Sequence, residues 1–295
     1  MRSHIFLPFI ALSALLTLGV SCQSERPTYT GPDYILFSSD SHTIGVVDNE
    51  EWFEIAVSAT HTSSEDRYFG VEVVASESSA IEGLHYTLES NTLCIKAGEL
   101  TTAVRIQGHA DNIYINQSLG IKLRLVLDDE KIWEEYGTDT EITMQRCCEF
   151  DINTFTGYAV LTSSWSMQYM NVESRLVHTH LDTTQANTVV IEDMFYDGYD
   201  IGFRLDSEDR LNPIVTLCGE QVLGSTGEAF GTVYGNGELM IGNTMGYVSY
   251  FGMCEKFVVI YSTIYVEEVG TVGNYVNILE WISDEEAERI MREGL

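Results

Sequence analysis

Basic side chains are scarce in this sequence. Only 15 Lys and Arg stand against 45 Asp and Glu in 295 residues, a formal net charge of −30 at pH 7 with His neutral. A surface this acidic repels phosphate backbones, which excludes nucleic acid as a partner. It also repels anionic headgroups, so the protein face itself cannot hold a membrane. Catalytic signatures are missing too. There is no G-x-S-x-G elbow ("GSTG" at 224–227 lacks the spacing), no H-E-x-x-H and no phosphate loop. "GNGELMIG" at 235–242 has the wrong glycine spacing for a dinucleotide site. Acidic pairs are too abundant to single out a glycosidase couple. The expectation is a protein without catalytic residues, cofactor or metal, and the alternative is an unrecognised carbohydrate-active hydrolase in the second half.

A disulfide framework is also lacking. Beyond Cys22 there are five cysteines, at 94, 147, 148, 218 and 254, an odd number without regular spacing. Cys147 and Cys148 would point to opposite faces of a strand, which suits neither a mutual bridge nor a shared metal. Most are expected to be small buried hydrophobes, with room for one longer-range disulfide.

Helix signals are few, and no internal repeat or low-complexity tract stands out. "ISDEEAERIMREGL" reads as a C-terminal helix, with Ser283 and Glu286 as a capping box and acids in its first turn. "DDEKIWEEYG" predicts a shorter one ending at Gly137. Nearly everything else alternates with period two. Ile55 and Val57 share a face with Phe53, Val104 and Ile106 oppose Ala103, Arg105 and Gln107, and Ile121, Leu123, Leu125 and Leu127 oppose Lys122 and Arg124. Such patterns predict antiparallel sheets with one wet face. Near "QRCCEFDINTF" the composition changes, and the chain beyond is richer in Tyr and Gly, with strands such as "GYAVLTS", "NTVVIED" and "DIGFRLD". The run Phe257 to Val266 is almost continuously apolar, as expected of a strand buried on both faces. This half predicts an antiparallel β-barrel or sandwich of about eight to ten strands.

The N-terminus carries an export signal: Arg2, then an apolar run from Ile5 to Val20, shorter than the roughly 18 residues of a spanning helix. "LGVSC" at 18–22 resembles a bacterial lipobox, although Gly19 stands where the pattern prefers an aliphatic residue. The resemblance implies cleavage after residue 21 and lipid attachment at Cys22, which would anchor the chain through its acyl groups. Cleavage by an ordinary signal peptidase is the alternative. Residues 22–33 are polar, with Pro27 and Pro32, and read as a flexible tether. Losing residues 1–21 removes one basic residue, Arg2, and leaves 274 residues, a length for about two domains. These are expected at 34–146 and 150–295.

The first of them resembles a Calx-β domain, an immunoglobulin-like sandwich, through "SSAIEGLHYTLESNTLCIKAGELTTAVRIQGHADN". Ala80, Gly83, His85–Tyr86, Leu93 to Lys96, Gly98–Glu99 and Val104 to Ile106 fall at the family's places in the family's order. Many Calx-β domains bind calcium through acids at one tip, and Ca²⁺ requires six to eight oxygens. Here Asp48 and Asp111 sit near acidic places, but His85 replaces the acid before the aromatic. The expectation is a structural sandwich. The whole layout resembles Bacteroidota surface lipoproteins. With Gln23 after the cysteine, that resemblance implies an outer-membrane address, on the surface or the periplasmic face, and a glycan or envelope-protein partner.

Two local features qualify as sites. His178 and His180 in "VHTHLD" share a strand face and could chelate a metal, but no third ligand is identifiable, so an exposed polar face is preferred. In "MFYDGYD", Phe195, Tyr196 and Tyr199 flank Asp197 and Asp200, a mixture that suits stacking and hydrogen bonding to a sugar. The alternative is a hairpin turn at Asp197–Gly198 whose aromatics pack inward.

Overall fold

The computed structural model describes residues 29–48 and 51–294, so the expected leader, Cys22 and most of the expected tether lie outside the described residues. The fold is nearly all β, with few short helices. Two hydrophobic cores form, one from residues between Ile35 and Met144 and one from residues between Phe155 and Leu279.

The first core lies between two sheets. One has the order β1-β3-β7-β5: β1 (Ile35–Phe37), β3 (Trp52–Ala59), β7 (Thr101–Gly108) and β5 (Tyr86–Leu88). The other has the order β2-β9-β8-β4-β6: β2 (Ser41–Val46), β9 (Asp139–Arg146), β8 (Ser118–Val126), β4 (Arg67–Val73) and β6 (Thr92–Ile95). The alternation does what period two requires. Ile55, Val57, Val104 and Ile106 face Ile121, Leu123, Leu125, Ile142 and Met144 across the sandwich, all nearly inaccessible to water. One pairing departs from the antiparallel expectation: β2 runs parallel to β9, from Ser41 beside Glu141 to Val46 beside Arg146.

The helix expected over "DDEKIWEEYG" does not form. The chain makes one 3₁₀ turn at Asp129–Lys131 and leaves it at Ile132 in an extended conformation. Ten residues are marginal for a helix without a packed face, and here the aromatics that would provide one are engaged elsewhere. Trp133 stacks on Tyr34, and Gly137 turns the chain into β9 at φ 68°.

The second half builds β10 (Gly157–Ser163), β11 (Ser174–Leu181), β12 (Thr188–Ile191), β13 (Ile201–Asp206), β14 (Ile214–Leu217), β15 (Gln221–Ser225), β16 (Glu238–Asn243), β17 (Ser249–Gly252), β18 (Phe257–Val266) and β19 (Gly270–Trp281). Eight of these close a ring, β10-β11-β12-β13-β14-β17-β18-β19, and β19 pairs back onto β10 from Asn277 beside Ser163 to Trp281 beside Ala159. The β15–β16 hairpin pairs with the far half of β18, along Ser262–Tyr265, beyond the stretch that β17 occupies. At eight strands a barrel interior is just wide enough to be filled by side chains. Leu161, Val189, Phe203, Ile260 and Leu279 fill it here, and Leu239 of β16 joins the same core.

The barrel is a packed core, not a pore. β18 is buried on both faces only over Val258–Ile260; from Tyr261 onward it alternates, because its outer side chains Tyr261, Thr263 and Tyr265 stay half-covered.

Two short helices escaped the sequence pattern. In α1 (Ser164–Tyr169) Ser163 Oγ accepts the Trp165 N–H, and Trp165 stacks on Tyr169 with Tyr275 at its edge. In α2 (Thr226–Phe230) Ser225 caps Glu228, and Gly231 closes the end at φ 71°. The expected C-terminal helix is α3 (Asp284–Glu293), with Ser283 Oγ accepting the Glu286 N–H at 3.2 Å.

The halves meet around the adjacent cysteines. Cys148 is bonded to Cys254, in the turn between β17 and β18, and the neighbouring Cys147 is a buried thiol whose sulfur lies 3.6 Å from the Arg210 carbonyl oxygen. Arg210 also pairs with Glu51 at 2.7 Å, and Asn116 donates to Glu255 at 3.0 Å. Cys94 and Cys218 are half-buried.

Candidate functional site

The segment between β8 and β9 is held at both ends by ion pairs. At its start Lys131 Nζ donates to Asp33 at 3.0 Å. Asp33 is also bound by Arg67, whose guanidinium reaches the His61 and Glu99 carbonyl oxygens as well. Partial burial works to raise the Asp33 pKa, but the Lys131 hydrogen bond and charge, with Arg67, outweigh it and hold the carboxyl below its ordinary value. At the far end Arg124 makes two bonds of 2.8 Å to Asp139. That hydrogen-bonded pair, with a smaller contribution from Thr138, overcomes desolvation and lowers the Asp139 carboxyl too.

Between these clamps stand the aromatics. Trp133 stacks on Tyr34 at 5.1 Å between ring centroids, Tyr136 meets Trp133 edge-on at 4.7 Å, and Tyr29 lies 5.9 Å from it. Tyr136 remains 59% exposed. Trp133 borders two open hollows. The larger, about 730 Å³, runs along β1 and is lined by Ser38, Ser39, Asp40, Ser58, Tyr136 and Asp139 among others. The second, about 660 Å³, lies over Pro32, Tyr34 and the acids 129, 130 and 134. An aromatic platform between rows of hydroxyls and carboxylates can stack on the apolar face of a ring while accepting hydrogen bonds from its substituents. The sequence pattern hides it, because a helix over 128–137 would include Trp133 and Tyr136. The usable signal was two aromatics among acids in a segment too short for a stable helix.

The 195–200 segment is placed differently from a ligand platform. Phe195 is only 2% exposed and belongs to the barrel core. Tyr196 packs half-buried against the same core, over Gly224, where an added Cβ would meet its ring at 2.4 Å. Burial pushes the Tyr196 hydroxyl pKa up. The turn closes on itself: Asp193 accepts the Gly198 N–H, Asp200 accepts the Asp193 N–H, and Gly198 sits at φ 84°. Asp197 and Asp200 are exposed and Tyr199 half-exposed, so the five residues do not share one accessible surface. Asp–Gly turn chemistry dominates the segment.

His178 and His180 do share a face, and both Nδ1 atoms approach Glu192 Oε1, at 3.1 and 2.9 Å. Hydrogen bonding from His178 first, then from His180, holds the Glu192 carboxyl below its ordinary value. Among the described residues no three His, Cys, Asp or Glu are grouped to hold a metal ion. At the Calx-β-like tip, Asp48 and Asp111 line a hollow of about 270 Å³, and Asp111 faces Arg146 at 3.9 Å. His85 Nδ1 accepts the Ile81 N–H at 2.9 Å, so the residue in the acid's place closes its own loop.

The family described as "Domain of unknown function (DUF4984)" matches residues 135–293. No curated protein matches the chain. Among solved structures, a protein of unknown function from Bacteroides ovatus aligns at 10% identity and TM-score 0.35, over 83% of this chain and 89% of its own. CBD12 from CALX1.2 aligns at 13% identity and TM-score 0.34, over 65% and 82%. An auxiliary nutrient binding protein from Bacteroides thetaiotaomicron aligns at 14% identity and TM-score 0.31, over 83% and 91%. Similarity this distant carries no ligand across.

Proposed function

This chain belongs to the DUF4984 family, and from that premise we propose that it is a non-enzymatic, lipid-anchored envelope protein that binds a saccharide in the groove beside Trp133. The observation that carries the reading is the clamped Trp133–Tyr136 platform on a hollow also lined by Ser38, Ser39 and Ser58, with the Ser38 and Ser58 hydroxyls bonded to each other at 2.7 Å and Ser39 Oγ donating to the Ser41 carbonyl. A preset platform saves the ligand the entropy of ordering it. Trp133→Ala is expected to weaken retention on the bound polysaccharide at least tenfold, about 1.4 kcal/mol, with Trp133→Phe keeping part of it. Affinity electrophoresis against a polysaccharide panel measures this. Equal retention by Trp133→Ala would remove the groove from the account, and release of reducing ends would put the hydrolase reading in its place.

The anchor rests on the "LGVSC" pattern. Cys22→Ala is expected to block lipid attachment and move the protein from membranes to soluble fractions; unchanged partition and mass would remove it. Tyr29 follows Cys22 by seven residues, at most about 25 Å of extended chain. With the anchor in place, the groove faces ligand close to the bilayer.

A further inference from the structure

We propose that the Trp133 groove accepts neutral and amino-bearing saccharides and rejects those carrying uronate or sulfate. The inference rests on the saccharide reading above and adds the charge class of the ligand. It comes from what lines the two hollows. Asp40, Glu135 and Asp139 line the larger, and Asp129, Glu130, Glu134 and Glu135 the smaller, six carboxylates in all, of which Asp139 is already paired with Arg124. No Lys, Arg or His lines either one.

The nearest cations are already committed. Lys122 lies 3.8 Å from Asp139 and is engaged by Glu77 at 2.8 Å. Lys131 and Arg67 hold Asp33, at 3.0 and 3.2 Å, and Arg124 holds Asp139 at 2.8 Å. Recognition of a sulfate or carboxylate calls for a cation or an array of free N–H donors, and turning these three to a ligand would break the clamps that set the platform. Other hollows of the same molecule are furnished otherwise: Arg105 lines the one over β3 and β7, and Arg146 and Arg210 line the one between the halves. The all-acid lining is therefore local and not merely the overall charge repeated.

Chemistry gives the sign of the selection. An ionised carboxylate is an acceptor only. Sugar hydroxyls donate to it, an ammonium donates more strongly, and an anionic substituent offers no proton and adds like charge at short range. In physiological salt the remote charges of the molecule are screened beyond about 8 Å, whereas groups in contact with the ligand are not.

The test uses the mature full chain in 0.15 M salt. The probes are oligosaccharides of a backbone retained by the protein, unmodified or carrying a C6 carboxylate, a sulfate ester or a free amine. The neutral and amino forms are expected to bind, and the carboxylate and sulfate forms at least tenfold more weakly. Glu135→Gln combined with Asp40→Asn keeps an acceptor oxygen at each place and removes the charge, and should narrow the ratio of neutral to carboxylate affinity at least threefold, each affinity measured in the variant itself. Uronate bound as tightly as the neutral form, with Trp133→Ala still abolishing both, would overturn the charge class and leave the saccharide reading standing. Failure of every saccharide, with an oligolysine peptide bound instead, would overturn both.

Discussion

Replacing Cys148 by Ser is expected to remove about 4.7 kcal/mol from the unfolding free energy of the barrel, the chain-entropy value for a closed loop of roughly 100 residues. The Cys148–Cys254 bond closes a loop with a sequence separation of 106, and that loop contains every barrel strand from β10 to β17. Cutting the link frees the unfolded barrel far more than the unfolded sandwich, whose core ends at Met144. Cys147 does not take over, because its thiol is buried against Arg210. On the two-domain proposal, guanidinium unfolding should resolve the two halves through their tryptophans, Trp52 and Trp133 in one and Trp165 and Trp281 in the other. The barrel midpoint should fall in Cys148→Ser, and equally in Cys254→Ser, while the sandwich transition stays in place. A barrel midpoint unmoved by either variant would refute the account. The same bond makes the two-domain proposal testable. A protease site inserted after the exposed Glu149 should yield one species without reductant and two folded fragments with it.

The sandwich and α3 were legible because local rules decide them. Period-two alternation from Phe53 to Val57 and from Ile121 to Leu127 needs only a buried face, and Ser283 with Glu286 needs only a helix start. Barrel closure was half legible. Strand number follows from hairpin signals, but pairing Ser163 with Asn277 joins residues more than a hundred positions apart, and no pattern within either strand records it. The Cys148–Cys254 pairing is hidden for the same reason. The groove was missed for a different one. Propensity over residues 128–137 favours helix, and the stacking of Trp133 on Tyr34, some hundred residues away, overrides it. The 195–200 segment shows the reverse pull. Its aromatics have the composition of a binding surface, and the core beneath them takes Phe195 and Tyr196 first.

At the seam that closes the barrel, Asn277→Asp is expected to cost about 3–5 kcal/mol at neutral pH, the range for an uncompensated buried charge. Asn277 is fully buried. Its Oδ1 accepts from Ser163 on β10 at 2.7 Å, and its Nδ2 donates to the Ile260 carbonyl and to Ser262 Oγ on β18, at 3.2 and 2.9 Å. One side chain on β19 thus bonds to both of its neighbouring strands. Asparagine suits the place because it accepts on one side and donates on the other, with no charge to desolvate. Asn277→Leu keeps the apolar bulk but leaves Ser163 and Ser262 without this partner, a loss of about 1–3 kcal/mol for each group left unsatisfied. Aspartate keeps the acceptor, and its penalty depends on ionisation. Burial raises the folded-state pKa above the unfolded value of about 3.9, so the folded state holds the proton that the unfolded state releases. The stability difference between Asn277→Asp and the parent should therefore be smallest below about pH 3.9. It should widen by up to about 1.4 kcal/mol per unit above that, until the folded carboxyl ionises. The depressed carboxyls of Asp33 and Asp139 act in the opposite sense, stabilising above their unfolded pKa values and losing that stabilisation as the pH falls. They are common to both proteins and cancel in the difference. Guanidinium midpoints at half-unit steps from pH 4 to pH 7 give the curve. A difference that stays flat across that range would mean water reaches residue 277 and the seam is open.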